Sequence, residues 1–461
     1  MALHPSVFFL AGTLLLAGCA SGPDYKQPVL PLPSNWQTPQ SGKLADLSNW
    51  WARFDDPALD ALLQAAQQDS PTLAKATAAI EKARASRSTA EASLWPSLNA
   101  SAGATTSGSL KNDTGTGRTA SSGLDTSWEL DLFGKTRRAT ESASALLQAR
   151  EADWHDARVS LAAEVAGDYV DYRACRIKQA YYEEQAQSQA KTSALTRLSA
   201  KAGFTADANA RLAEASTAST RSTALSQKAE CEVLVKTLVA LTGMEEPALR
   251  QTLARDVTSL PQPEGLQVTS VPANLLRQRP DIVSAERELA STSALISVAE
   301  AARWPSITLS GSIGLSATRG ASTTAPWSFG PALNLPIFDG GSIAANIKSA
   351  KADYDSAQAT YRQTVRDAVK EVEQALVRLD SMAQREAEAR KSAEGYRAYL
   401  TATETNWHAG GASLLDLETA RRSAISAEVS LLELQQNRLT YWIALYKAVG
   451  GGWQTTQGET K

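Results

Sequence analysis

Trp304-Pro305-Ser306-Ile307-Thr308-Leu309-Ser310-Gly311-Ser312-Ile313-Gly314-Leu315 opens the stretch on which the fold turns. A Ser/Thr/Ala/Gly-rich turn follows at Ser316–Ala325. The chain then returns through Trp327-Ser328-Phe329-Gly330-Pro331-Ala332-Leu333-Asn334-Leu335-Pro336-Ile337-Phe338-Asp339-Gly340-Gly341. Ile307, Leu309, Gly311, Ile313 and Leu315 share one parity, and Thr308, Ser310, Ser312 and Gly314 the other. On the return, Trp327, Phe329, Pro331, Leu333, Leu335 and Ile337 alternate with Ser328, Gly330, Ala332, Asn334 and Pro336. Successive side chains of a strand point to opposite faces. The period of two therefore predicts a hairpin over residues 306–338 with one apolar face and one small, polar face. A strand crossing a bilayer needs about 9–11 such residues, with aromatic side chains at the interfaces. Trp304, Trp327 and Phe338 stand near the ends of the two runs. Taken alone, the edge hairpin of a soluble β domain fits as well.

The pattern occurs twice. Trp95-Pro96-Ser97-Leu98 matches Trp304-Pro305-Ser306-Ile307, and Phe133-Gly134 matches Phe338-Asp339-Gly340. Gly203 after Lys201-Ala202 matches Gly410 after His408-Ala409, and Leu241-Thr242-Gly243 matches Ala448-Val449-Gly450. Pro71 pairs with Pro280 in the same way. Landmarks in one order at nearly constant separation imply a tandem duplication of a whole structural half. The first hairpin covers 97–133, with a glycine-rich turn at Gly108–Gly123. In its second strand Leu124, Thr126, Trp128, Leu130 and Leu132 alternate with Asp125, Ser127, Glu129 and Asp131. Apolar alternating with acidic suits lipid on one side and water on the other, which assigns Asp125, Glu129 and Asp131 to a lumen.

Residues 1–18 read as an export signal, with a short apolar core too brief to span a membrane. Leu16-Ala17-Gly18-Cys19 resembles a bacterial lipobox, in which Cys19 is cleaved and acylated. No aspartate follows in Ala20-Ser21, so the resemblance implies sorting to the outer membrane. Residues 19–49 carry Pro23, Pro28, Pro31, Pro33 and Pro39 and read as an extended, acylated tether. The net charge of −3 offers no basic field for nucleic acid. No other apolar run reaches the length of a membrane helix.

The first repeat spans 50–243. Trp50-Trp51 and Asp55-Asp56-Pro57 open it, with Pro57 suited to the first turn of a helix. A second helix runs from Pro71 to about Leu94, where Trp95-Pro96 stops it. A proline-free helical pattern over 136–200 and a return over 206–241 predict a helical hairpin (136–241) with its tip at Gly203. Residues 244–271 read as a connector. The second repeat, 272–450, has a helix from Pro272, another from Pro280 to Arg303, and a helical hairpin over 343–449 with Gly410 and Gly411 at its tip. Residues 451–461 form a loose tail. Cys175 lies as far before Gly203 as Cys231 lies after it, so the antiparallel helices bring them level. In an oxidising compartment this predicts a Cys175–Cys231 disulfide.

Together these features resemble the TolC-like outer-membrane efflux factors, and among them the lipoprotein (NodT-type) branch serving tripartite resistance-nodulation-division pumps. Cys19 to Tyr25, Trp50-Trp51, Leu276 to Ile282 and Leu335 to Gly341 carry the likeness, which covers nearly the whole chain. The implied fold is mainly α with membrane β: long helical hairpins forming a periplasmic barrel, plus four strands per chain in a shared, trimeric, twelve-stranded transmembrane barrel. Physics asks for sharing independently, because open edges leave amides unpaired in lipid and known barrels have eight strands or more. The resemblance implies a homotrimer in outer-membrane lipid whose tips, at Gly203, Gly410 and Gly411, dock on a periplasmic adaptor. An inner-membrane pump then drives export. It also places a gate near Leu414–Arg422, with Asp416, Glu418 and Arg422 as candidates.

The chain carries no nucleophile–His–acid arrangement or phosphate loop, so it reads as no enzyme. Two mature histidines, His155 and His408, and two mature methionines, Met244 and Met382, give no soft metal cluster. No cofactor is expected beyond acyl chains on Cys19. A duct passing small molecules such as drugs is the first reading. Protein secretion, metal export through a similar duct and a non-channel helical scaffold are the alternatives.

Overall fold

A computed structural model describes residues 21–29, 36, 50–108, 116–254, 259–261 and 273–451. The signal segment, Cys19, most of the tether and the tail lie outside the described residues. The regular elements are α1 (Pro57–Asp69), α2 (Pro71–Ala92), β1 (Ser97–Ser107), β2 (Gly117–Leu130), α3 (Lys135–Lys201), α4 (Asp207–Thr242), α5 (Glu246–Leu253), α6 (Pro280–Ala301), β3 (Ser306–Thr318), β4 (Trp327–Asn334), α7 (Ser342–His408) and α8 (Leu414–Ala448). The duplication shows in their lengths. Helices α2 and α6 each have 22 residues, α3 and α7 each have 67, and α4 and α8 have 36 and 35.

The chain forms two compact units. The first takes in the arm up to Val29, Thr77–Asp153 and Asp281–Thr364. Its sheet has the order β1-β2-β3-β4, every neighbour antiparallel. Strand β2 starts at Gly117 and β3 reaches Thr318, so both turns are shorter than the composition suggested. The Gly/Thr/Ser run at 117–123 lacks apolar alternation, yet its backbone bonds to β1 and β3 on both sides. The return strand stops at Asn334 rather than Phe338, because its partner β3 begins at Ser306, opposite Asn334. The aromatic ring of Phe133 stacks on Trp304 at 5.4 Å, and Trp128 Nε1 donates to Leu94 O at 2.9 Å. The arm is docked rather than loose. Ser21 N donates to Phe133 O at 3.0 Å, Asp24 pairs with Arg138, and Tyr25 Oη bonds the buried Glu286 carboxylate.

The second unit takes in the described residues of Leu30–Ala76, Trp154–Pro280 and Val365–Lys461. Leu59 and Leu62 of α1, Val165 and Tyr169 of α3, Leu238 of α4 and Trp442 of α8 share one core. Asp56 caps α1 through Ala58 N and accepts from Tyr169 Oη and Arg173 Nη1, each at 2.7 Å. Within the expected connector, Pro247 helps start the short α5. In place of an α-helix from Pro272, Ala273–Gln278 forms a single 3₁₀ segment, cut short by Pro280.

Each return helix ends on a glycine with left-handed backbone, Gly243 at φ 68° and Gly450 at φ 91°. A Cβ on Gly243 would stand 2.8 Å from Asp69 Oδ2, and one on Gly450 would stand 3.2 Å from Arg279 Cα. Both contacts fall just before the proline that starts the next helix, so the two repeats close in the same way. Arg279 Nη1 also donates to Ala448 O at 2.7 Å and to Glu371 at 2.9 Å, satisfying the C-terminus of α8. The Arg-Pro-Asp segment is thus a packing device. Gly450→Ala should lower stability by about 1–2 kcal/mol, since it adds both left-handed strain and a backbone clash. Gly395→Ala, exposed within α7 with open space at its Cβ, should raise it by about 0.5–1 kcal/mol. Denaturation midpoints of the two variants beside the parent check both signs.

Candidate functional site

The sheet sorts its side chains by register. Leu124 faces Ala100 and Ile313, Trp128 faces Leu309, and Leu130 faces Ile307. Ile313 in turn faces Trp327, and Ile307 faces Leu333. These rows share one face, and it is bare: Trp327, Phe329 and Leu333 are 75, 71 and 69% exposed. Asp125 stands between Asn99 and Ser312, Ser127 between Ser97 and Ser310, and Glu129 beside Thr308 on the other face. Ser312 and Ser328 share a 2.9 Å hydrogen bond there. The structure therefore puts Asp125 and Glu129 on the polar face. Asp131 lies past the end of β2, where its carboxylate accepts from Thr136 N and Arg137 N and caps α3. Asp339 does the same for α7 through Gly341 N and Ile343 N, and these bonds hold its carboxyl below the usual range. Among the described residues, strands β1 and β4 each leave one edge open.

A cavity of about 180 Å³ lies at the helix end of the sheet, lined by Glu129, Asp131, Phe133, Lys135, Trp304 and Asn334 among others. Sites for drug-sized ligands run to about 300–1,000 Å³, so it is too small to hold such a cargo. No group of three or more His, Cys, Asp and Glu side chains suited to a metal occurs among the described residues.

The helical tips repeat one another. Gly203 and Gly410 both adopt φ 80°. Phe204 N donates to Ser199 O, and Gly411 N to Asn406 O, closing each long helix with the six-to-one bond of a Schellman turn. Phe204 is 86% exposed at the first tip. Beyond the second tip, Ser413 and Asp416 form a reciprocal capping box at the start of α8. Those bonds lower the Asp416 carboxyl from its ordinary value. Arg422 is exposed.

Glu418 is buried, and its partner is Arg421 at 3.5 Å rather than Arg422. The Arg421 guanidinium also donates to Thr192 Oγ1 at 2.7 Å, Gln189 Oε1 at 3.3 Å and Glu404 at 2.8 Å. It therefore ties α3, α7 and α8 into one polar knot. Sequence reading missed Arg421. Its signal was there: Leu414, Leu417, Arg421 and Ala424 recur at helical spacing, which places the arginine on the buried stripe. Cys175 and Cys231 are joined in a disulfide between α3 and α4, with Cα atoms 5.6 Å apart.

A family model described as outer membrane efflux protein matches residues 62–244 and 271–451, one match per repeat. A nodulation protein T of Rhizobium leguminosarum bv. trifolii is 33% identical over 450 residues, covering 96% of each chain. The pyoverdine export outer membrane protein OpmQ of Pseudomonas aeruginosa is 30% identical over 460 residues, covering 97% of this chain and 96% of the relative. The solved outer-membrane channel OprN is 30% identical, with a TM-score of 0.82 over 94% of this chain and 100% of that one.

Breaking a buried ion pair on one side costs about 3–5 kcal/mol. Arg421→Met should therefore destabilise the tip by that order and raise single-channel conductance in planar bilayers. Arg422→Met should leave both unchanged. Equal conductance of Arg421→Met and the parent would show that the knot does not restrict the tip.

Proposed function

Because the chain belongs to the outer membrane efflux protein family, and is an efflux duct rather than an enzyme, we propose that three copies close one twelve-stranded barrel. That barrel passes small molecules such as drugs outward. The observation that carries this is the sheet: one bare apolar face, one small polar face, and two open edges on a four-stranded unit. Edges left open in lipid are unpaired amides. Three copies supply twelve strands, above the eight of the smallest single-chain barrels.

The tips at Gly203, Gly410 and Gly411 meet a periplasmic adaptor, and an inner-membrane resistance-nodulation-division pump supplies the work. The exposed Phe204 supports a docking role for the first tip. The gate lies at the start of α8. Glu418 acts there through Arg421, while Asp416 and Arg422 border the pore from their exposed positions.

Cys19 is acylated, and its chains enter the inner leaflet of the outer membrane. The docking of Ser21 on Phe133 supports this, since two residues reach at most about 7 Å from there. The Cys175–Cys231 bond forms on export and fastens α3 to α4. Metal export and protein secretion use the same kind of duct, and pump and adaptor select the cargo.

Protein mass in detergent, with detergent mass subtracted, should equal three chains. A detergent-free monomer would refute the barrel. Intact mass should show a diacylglyceryl-sized addition that Cys19→Ser removes. Denatured protein should show no free thiol until reductant is added, and two free thiols without reductant would exclude the disulfide.

A further inference from the structure

Two arginines sit where an apolar face has no evident use for charge. The row of β2 that carries Leu124, Trp128 and Leu130 ends, toward the turn, at Arg118. The row of β3 that carries Ile307, Leu309, Ile313 and Leu315 ends at Arg319. The ladder pairs Thr119 with Thr318, and its next step is the bond from Arg319 N to Arg118 O at 2.8 Å. The two arginines therefore stand opposite each other on adjacent strands and on one face, where Cβ atoms are about 4.5–5.5 Å apart. Thr106 of β1 pairs with Arg118 and adds a hydroxyl on the same face. All three are exposed, and neither arginine has an ion-pair partner among the described residues.

Like charges directly opposite on a sheet repel. Arginine on a lipid-facing row is costly at mid-bilayer and tolerated near the interface. This pair is at an interface. Strand β1 enters from α2 at Ser97 and β2 leaves for α3 after Leu130, so Gly117 and Arg118 mark the opposite, turn end. With the helices in the periplasm, that end meets the outer leaflet. Phosphorylated glycolipid fills this leaflet in Gram-negative cells. A phosphate monoester carries about −1.5 to −2 charge, enough to neutralise both guanidinium groups. Its oxygens match the planar fork of arginine. We propose that Arg118 and Arg319, flanked by Thr106, bind a phosphate of an outer-leaflet glycolipid headgroup. Each protomer of the duct brings one such clamp to the outer rim. The proposal rests on reading the sheet as a membrane wall.

The test titrates full-length protein in dodecyl maltoside with bis-phosphorylated lipid A, and in parallel with lipid A of the same acyl chains stripped of phosphate. The phosphorylated form should bind at least about tenfold tighter, the scale expected for charge-assisted hydrogen bonds. R118Q/R319Q should bring it down to the level of the stripped lipid, and R118K/R319K should fall between. The single variants R118Q and R319Q should each weaken binding, which keeps the test open if the double variant assembles poorly. Equal affinity for the two lipids, or an unchanged R118Q/R319Q, overturns the clamp. Displacement of the lipid by millimolar inorganic phosphate overturns the glycolipid as its ligand. Protein mass in detergent is read on the same samples: a trimer without phosphate discrimination sinks the clamp alone, whereas a detergent-free monomer sinks the duct.

Discussion

A sheet of four strands with both edges open cannot stand by itself in a hydrocarbon layer. Every unpaired N–H and C=O along β1 and β4 would cost several kcal/mol there, with no water to relieve it. The rest of the structure answers to that constraint. The edges need identical partners, and closure by copies makes a barrel with an inside and an outside. In the proposed barrel, Ala100, Leu124, Ile313 and Trp327 form the cross-strand row toward lipid, while Asn99, Asp125, Ser312 and Ser328 form the next row, toward water. The bare apolar face, a liability for a soluble monomer, is what a bilayer requires.

The duplication supplies a strand hairpin followed by a long helical hairpin, twice over, and each junction has to satisfy its own backbone. Asp131 and Asp339 perform one such task at matching places, each giving its carboxylate to the first free amides of a 67-residue helix. At the far end of each hairpin a left-handed glycine closes the helix, and at its return another packs against the residues before Pro71 or Pro280. Many residues that look like motifs in the sequence are therefore the closures of a repeated architecture. Arg279 shows this well: it donates to the last carbonyl of α8, Ala448 O, and to Glu371.

The faces of the sheet were legible because antiparallel register preserves parity. Once Leu124 pairs with Ile313, all the alternate positions follow. Strand ends were less legible. Residues 117–123 hold their place through backbone bonds to two neighbours, and composition carries no trace of those bonds. The connector hid α5 because eight residues give too few turns for a periodic signal. At the tip, sequence reading favoured Asp416, Glu418 and Arg422, the evident charges. The structure spends Asp416 on a helix cap and leaves Arg422 in water. Charge alone does not show which carboxylate caps a helix, whereas helical phase separates Arg421 from Arg422 by one step of about 100°.

The strand pairing of the sheet and the polar knot around Arg421 are held by different physics. Strand pairing in lipid has no competing solvent, so the wall stays closed once formed. The knot around Arg421 is made of hydrogen bonds and an ion pair that water can replace as soon as the helices part. The net worth of such bonds is the small difference between protein and water partners. Under the proposed gate, a docking partner would need to supply only that difference to part the helices of the tip. The four-stranded wall, whose alternative partner is hydrocarbon, offers no comparably cheap route.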